Sequence, residues 1–139
     1  MRFMMLFKAN KEYEAGILPD EKILSEMRKY NEEVVKAGAL LAVDGLQASS
    51  KGARVRYSNG KFKVTDGPFA ETKELIAGFW LIQAKSREEA IEWAKRIPFT
   101  GDEEVEIRQI SSPEDFAPNM TEEMQERGRR LGESLKKNK

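Results

Sequence analysis

Two short stretches of this chain are apolar at consecutive positions rather than at alternate ones. Phe3-Met4-Met5-Leu6-Phe7 lies between Arg2 and Lys8, and Ile76-Ala77-Gly78-Phe79-Trp80-Leu81-Ile82 follows a polar segment. A strand that faces water on one side alternates apolar with polar residues, so these two read as central strands covered on both faces. Ala39 to Leu46 and Val105 to Ile110 supply two further strands of the same sheet. Only two segments carry a strong helical period. Ile23, Met27, Tyr30 and Val34 recur on one face between Pro19-Asp20 and Gly38; Ala90, Ile91, Ala94 and Ile97 do so between Ser86 and Pro98. Ser86-Arg87-Glu88-Glu89 has the spacing of a capping box, and Pro98 stops the helix. Two helices cover one face of a four-stranded sheet. The other face then needs a second copy of the chain, which predicts a homodimer.

The clearest local signal lies between the two halves. Asn59-Gly60 joins two arms, and a two-residue turn of this kind sets the pairing: Ser58 with Lys61, Tyr57 with Phe62, Arg56 with Lys63, Val55 with Val64, Arg54 with Thr65 and Ala53 with Asp66. One face of the hairpin is then Val55, Tyr57, Phe62 and Val64, with Asp66 on the same side. The other face carries Arg54, Arg56, Lys61, Lys63 and Thr65. The whole order is strand, helix, strand, inserted hairpin, strand, helix, strand and tail. That order predicts an α+β, ferredoxin-like βαββαβ fold with helices on one face of an antiparallel sheet. Pro113 and Pro118 mark a linker, and Thr121 starts a last helix that is acidic at its beginning and basic at its end. Residues 1–110 therefore read as one domain and 111–139 as a linker with a C-terminal helical extension.

The composition of the 139 residues excludes much chemistry. There is no Cys and no His, so thiolate nucleophiles, disulfides, Cys-rich zinc sites, His general bases and His-ligated iron are absent. Any reaction must use carboxylates, Lys, Tyr, Arg or backbone groups, and no cofactor or metal is expected. Lys plus Arg and Asp plus Glu number 24 each, which gives no reason to expect a nucleic-acid partner or an anionic membrane surface. No apolar run approaches the roughly 20 residues of a membrane span, and Lys8 interrupts the signal-like start, so a cytoplasmic location is expected.

Val64-Thr65-Asp66-Gly67-Pro68-Phe69-Ala70-Glu71-Thr72-Lys73-Glu74, followed by Gly78-Phe79-Trp80-Leu81-Ile82, resembles the signature of the DGPF proteins within the YCII-related family. Asp44-Gly45-Leu46, the Arg-bearing hairpin and Val105-Glu106-Ile107-Arg108 fit the same pattern over about residues 1 to 110. The resemblance implies a dimeric α+β barrel, in which two ferredoxin-like subunits pack sheet to sheet around a cleft. It implies no settled activity. Some DGPF proteins are encoded beside alternative sigma factors. Other YCII proteins carry a His and Asp pair proposed as catalytic; Asp66 is available for the Asp half, and the His has no counterpart here.

Asp66 reads either as a general acid or base at the mouth of the cleft or as an Asx turn that holds Gly67-Pro68. Glu71 and Glu74 read either as partners of Asp66 in a two-carboxylate or weak cation site or as solvated surface residues, paired with Lys73. Arg54 and Arg56, with Lys63 opposite, read either as a solvated hairpin face or as a site for an anion: a ligand carboxylate or phosphate, or acidic side chains of a partner. Phe69, Trp80, Phe79 and Tyr57 would line an apolar pocket or form core or dimer interface, and Arg108 would reach the same cleft. Two functional classes follow. One is a small-molecule binding protein, or a cofactor-independent enzyme, with Asp66 handling a proton, Arg54 or Arg56 holding an anionic group and Trp80 as a flat wall. The other is a regulatory module that engages a protein such as a transcription factor through its C-terminal helix.

Overall fold

The computed structural model describes residues 1–138. It divides into two compact units, one spanning Met1–Gln109 and the other beginning at Ile110. In the first unit a four-stranded antiparallel sheet is built from β1 (Arg2–Lys8), β2 (Leu40–Gly45), β5 (Ile76–Gln83) and β6 (Val105–Gln109) in the order β2-β5-β1-β6. Helices α2 (Glu21–Lys36) and α3 (Arg87–Lys95) connect the strands of each half, and a four-residue helix α1 (Lys11–Glu14) follows β1. This is the ferredoxin-like α+β arrangement that the alternation of periods predicts.

The register explains why both faces of the central strands are apolar. Phe3 lies opposite Ile82, Met5 lies opposite both Trp80 and Ile107, and Val43 lies opposite Trp80. Phe3, Met5, Trp80 and Ile82 join Tyr30 and Val34 of α2 and Ala90 and Ala94 of α3 in one buried cluster. Phe3, Met5, Ile82 and Val34 are almost wholly withdrawn from water, and each such side chain contributes about 1.5–3 kcal/mol. On the reverse face Met4 is paired with Leu81 and Arg108, and Leu6 with Phe79 and Glu106. Both α2 and α3 pack on the first face, so this second apolar face has no helix of the first unit over it.

The helix ends follow local chemistry. The Asp20 carboxylate accepts the Ile23 N–H at 2.9 Å, and Gly38 ends α2 at φ 71°. The Ser86 hydroxyl accepts the Glu89 N–H at 3.1 Å, but the Glu89 carboxylate takes the N–H of Lys85, not that of Ser86, so the box is closed one residue early. Two side-chain bonds tie helices to the core. The Trp80 indole N–H donates to Asn31 Oδ1 at 2.8 Å, and the Tyr30 hydroxyl donates to the Trp93 carbonyl at 2.7 Å.

The inserted hairpin, β3 (Ala53–Ser58) and β4 (Lys61–Asp66), has every expected pair, with Asn59 and Gly60 at φ 50° and 78°. Its apolar face is not taken up by the subunit's own core. Val55, Tyr57, Phe62 and Val64 remain 63–73% exposed. The base of the hairpin is clasped to the loop after β2. The Gly67 N–H donates to the Gly52 carbonyl at 3.0 Å, and the Phe69 N–H donates to Ser49 Oγ at 3.0 Å. Ser49 donates its own N–H to Glu14 of α1 at 2.9 Å and its hydroxyl to the same carboxylate. A Cβ on Gly67 would lie 2.6 Å from the Ser49 carbonyl carbon and closer still to its oxygen, so the clasp requires glycine there.

The second unit contains α4 (Pro113–Phe116) and α5 (Glu122–Lys137). Sequence reading makes residues 113–118 a linker, whereas Asp115 accepts the Ser112 N–H at 2.8 Å and Pro113 opens a short helix. The Thr121 hydroxyl caps α5 at 3.1 Å, and Arg127, Arg129 and Arg130 pair back to Glu123 and Glu126. Met124, Leu131 and Leu135 are 50–63% exposed along it.

Candidate functional site

The helical period of α2 does not translate into uniform burial. Tyr30 and Val34, in its C-terminal half, are sealed in the core, whereas Ile23 and Met27 in its N-terminal half are only half-buried. Beneath that half lies a cavity of about 920 Å³, at the end of the sheet where β1 and β2 finish and β5 begins. This volume lies within the range of small-molecule sites. Phe7, Val43 and Trp80 form its floor, Ile23, Leu24 and Met27 its roof, and Ile17, Leu18 and Pro19 its lip. Ile17, Leu18 and Leu24 are 60%, 84% and 54% exposed, so the mouth is apolar and uncovered.

Tyr13 holds one side of the cavity in place. Its hydroxyl lies 3.1 Å from the Ala77 carbonyl and closer to that of Leu46, which ties α1 to the ends of β2 and β5. Burial raises the Tyr13 pKa, and the neighbouring Glu14 carboxylate adds to the rise. The phenol therefore stays protonated and its proton is committed to main-chain carbonyls, a positioning role and not one of proton transfer. Gly78 allows β5 to approach β2 closely, since a Cβ there would stand 2.8 Å from the Asp44 carbonyl oxygen.

The charged residues around the cavity are mostly acidic. Glu12, Asp20, Asp44, Asp102 and Glu103 line it, against Lys8 alone. The Lys8 ammonium is held by Glu106 at 3.3 Å. Asp20 caps α2, and Glu103 accepts the Thr100 N–H at 2.9 Å.

The residues singled out from the sequence fall in three places. The Arg54 guanidinium stacks on the Phe69 ring, 3.8 Å from its centroid, at the base of the hairpin. Arg54 and Arg56 line a separate shallow groove of about 500 Å³ with Lys63 and Thr65. Asp66 ends β4 opposite Ala53 and is exposed, and among the described residues its carboxylate has no hydrogen-bond or ion-pair partner. Neither the turn-holding bond nor an enclosed carboxylate is present in the single subunit. Trp80 lies in the helix-side core, where its indole edge meets Phe7 and Tyr30, and it contributes to the cavity floor. Arg108 projects on the reverse face of the sheet and pairs with Glu106 at 3.3 Å. Thus Arg54, Arg56 and Phe69 are neighbours, whereas Trp80 and Arg108 lie on opposite faces of the sheet. Glu71 and Glu74 are exposed, and among the described residues no group of three acidic side chains could hold a metal ion.

The cavity itself was not legible from the strand and helix periods. Its signal is Ile17-Leu18-Pro19, an apolar pair in a loop with no strand or helix period to bury it.

An antiparallel sheet in the order β2-β5-β1-β6, with α2 and α3 on one face, defines a ferredoxin-like α+β protein. The chain belongs to the YCII-related family. The family model of the YCII-related domain matches residues 1–114. An uncharacterized protein of Rhizobium meliloti is 37% identical over 98 residues, which cover 68% of this chain and 79% of the relative. Within the described residues no helix is long and apolar enough to cross a membrane.

Proposed function

We propose that the protein is a homodimeric small-molecule binding protein whose ligand occupies the chamber under the N-terminal half of α2. The observation that carries this reading is a cavity of about 920 Å³ with an apolar floor, roof and lip beside the buried core. The Tyr13 hydroxyl in the cavity is engaged with main-chain carbonyls, which gives it a positioning role. The cleft expected between two subunits is a property of the dimer, and the chamber is a place that each subunit forms by itself.

Dimerisation is supported by two apolar surfaces, the sheet's half-buried reverse face and the exposed side of the hairpin. Met4, Leu6, Phe79 and Leu81 form the reverse face of the sheet, and Val55, Tyr57, Phe62 and Val64 form one side of the hairpin. Catalysis by Asp66 would require a second copy to enclose it, since it is exposed in the subunit. The Asp66-Gly67-Pro68-Phe69 clasp supports a place in the DGPF branch of the family.

The test is native mass spectrometry of the purified protein beside Ile23→Trp, which fills the chamber from its roof. A retained small molecule in the wild type and its loss in the variant, with unchanged circular dichroism, is expected. Retention of the same molecule by both would refute the site.

A second reading rests on α5, whose Met124, Leu131 and Leu135 stripe is exposed. As a regulatory module the chain would use this helix to engage a protein partner. Deleting residues 112–139 would abolish partner capture while sedimentation still showed a dimer; unchanged capture would refute it.

A further inference from the structure

The proposed chamber has apolar walls but an acidic rim, and the two together select a ligand. We infer that its ligand is an amphipathic cation: an apolar, ring-sized body carrying an amine or quaternary ammonium group. The inference rests on the binding role proposed above and adds the sign of the ligand's charge.

Five carboxylates line the cavity, and the single lysine among them is tied to Glu106, itself outside the lining. The Glu12 and Asp102 carboxylates make no hydrogen bond or ion pair among the described residues, and both residues are exposed at the mouth. A negative rim above low-dielectric walls concentrates field lines at the opening, which favours a cation and repels an anion. The floor adds to this preference. Half-buried Phe7 lines the opening above the buried Trp80, and the faces of aromatic rings attract ammonium groups. The body of the ligand would cover Ile17, Leu18 and Leu24, side chains that the subunit leaves in water. The basic side of the hairpin, with Arg54, Arg56 and Lys63, lines a different groove and does not offset the rim.

The experiment compares three probes that share one bicyclic body: 1-naphthylmethylamine, 1-naphthalenemethanol and 1-naphthoate. Calorimetry gives their affinities, and amide chemical shifts of labelled full-length protein locate them. The amine is expected to bind about ten-fold more tightly than the carboxylate at about 50 mM salt, with the alcohol between them, and the ratio to shrink at about 500 mM salt, where screening is near 4 Å. The double variant Glu12→Gln, Asp102→Asn changes two exposed side chains. It is expected to lower amine affinity at least three-fold and leave the alcohol unchanged. Equal binding of all three probes at the chamber, or tighter binding of the carboxylate, would overturn the charge preference and leave the chamber as a site. No shift at the chamber residues with any probe would overturn both.

Discussion

Replacing Gly67 by Ala tests the clasp at the base of the hairpin. The added methyl would stand 2.6 Å from the Ser49 carbonyl carbon, against roughly 3.5–4.0 Å for an ordinary carbon–carbon contact. The obstacle is main chain, so no side chain can rotate away. Relief requires the Ser49–Gly52 turn to separate from Gly67, which breaks the Gly67 N–H bond to Gly52 and the Phe69 N–H bond to Ser49. Overpacking of this kind costs typically 1–3 kcal/mol, and the upper end, about 3 kcal/mol, applies because two hydrogen bonds go with it. The hairpin is otherwise exposed, so the cost falls on local opening and not on the sheet. Native-state hydrogen exchange is the assay. Amides of β3 and β4 should exchange about 100-fold faster in Gly67→Ala, since about 1.4 kcal/mol is ten-fold, while those of β1 and β5 keep their protection. Gly52→Ala is the control in the same loop, because a Cβ there meets nothing nearer than 3.5 Å. Hairpin exchange within three-fold of wild type in Gly67→Ala would refute the requirement for glycine, as would equal effects of the two substitutions.

Four further outcomes are expected. Ser49→Ala removes the hydroxyl shared by Glu14 and Phe69 and should cost about 1–3 kcal/mol in urea denaturation; a change below measurement error would show the bridge to be dispensable. Tyr30 is pushed up to about 12, first by burial, with Glu33 raising it further and Arg96 opposing. A pKa raised on folding stabilises fully below the ordinary value of 10.0 and is lost as pH rises through the folded one, so Tyr30→Phe should flatten the fall in stability between those values. Hydrogen bonds from Arg129 hold the Glu126 carboxyl below its usual 4.5, so α5 should lose helicity as pH falls below that value, and Glu126→Gln should remove the dependence. Gly128→Ala in α5 meets nothing within 4 Å and should raise helicity by about 1 kcal/mol in circular dichroism; a loss would reveal a neighbour packed on that position.

Much of this architecture is local and therefore readable. The Asn59-Gly60 turn dictates all six pairs of the hairpin because each side chain's position follows from the two positive φ angles. Ser86 and Asp20 announce their helices by the donors they accept. Tertiary geometry was less accessible. Ile23 and Met27 share the period of Tyr30 and Val34, yet only the structure shows that α2 stands away from the sheet at one end and leaves a chamber. The period registers which face turns inward and not how far the helix lies from its neighbour. Asp66 shows the same limit. Pairing with Ala53 places it on the apolar side of the hairpin, but enclosure depends on what lies over that side, and the subunit supplies nothing. The Tyr13 contacts have no local signature, because their acceptors, the carbonyls of Leu46 and Ala77, are brought together by the end of β2 and by β5.

The path of the chain through Ser49, Gly52, Gly67 and Phe69 has an evolutionary corollary. The ribbon leaves and rejoins the frame at one point, so its length is uncoupled from the alignment of the four principal strands. Two residues inserted symmetrically, one into each arm, would advance the tip by about 3.4 Å without moving a single rung of the main ladder. Descendants of this sequence are thus free to vary their reach while inheriting an unchanged interior.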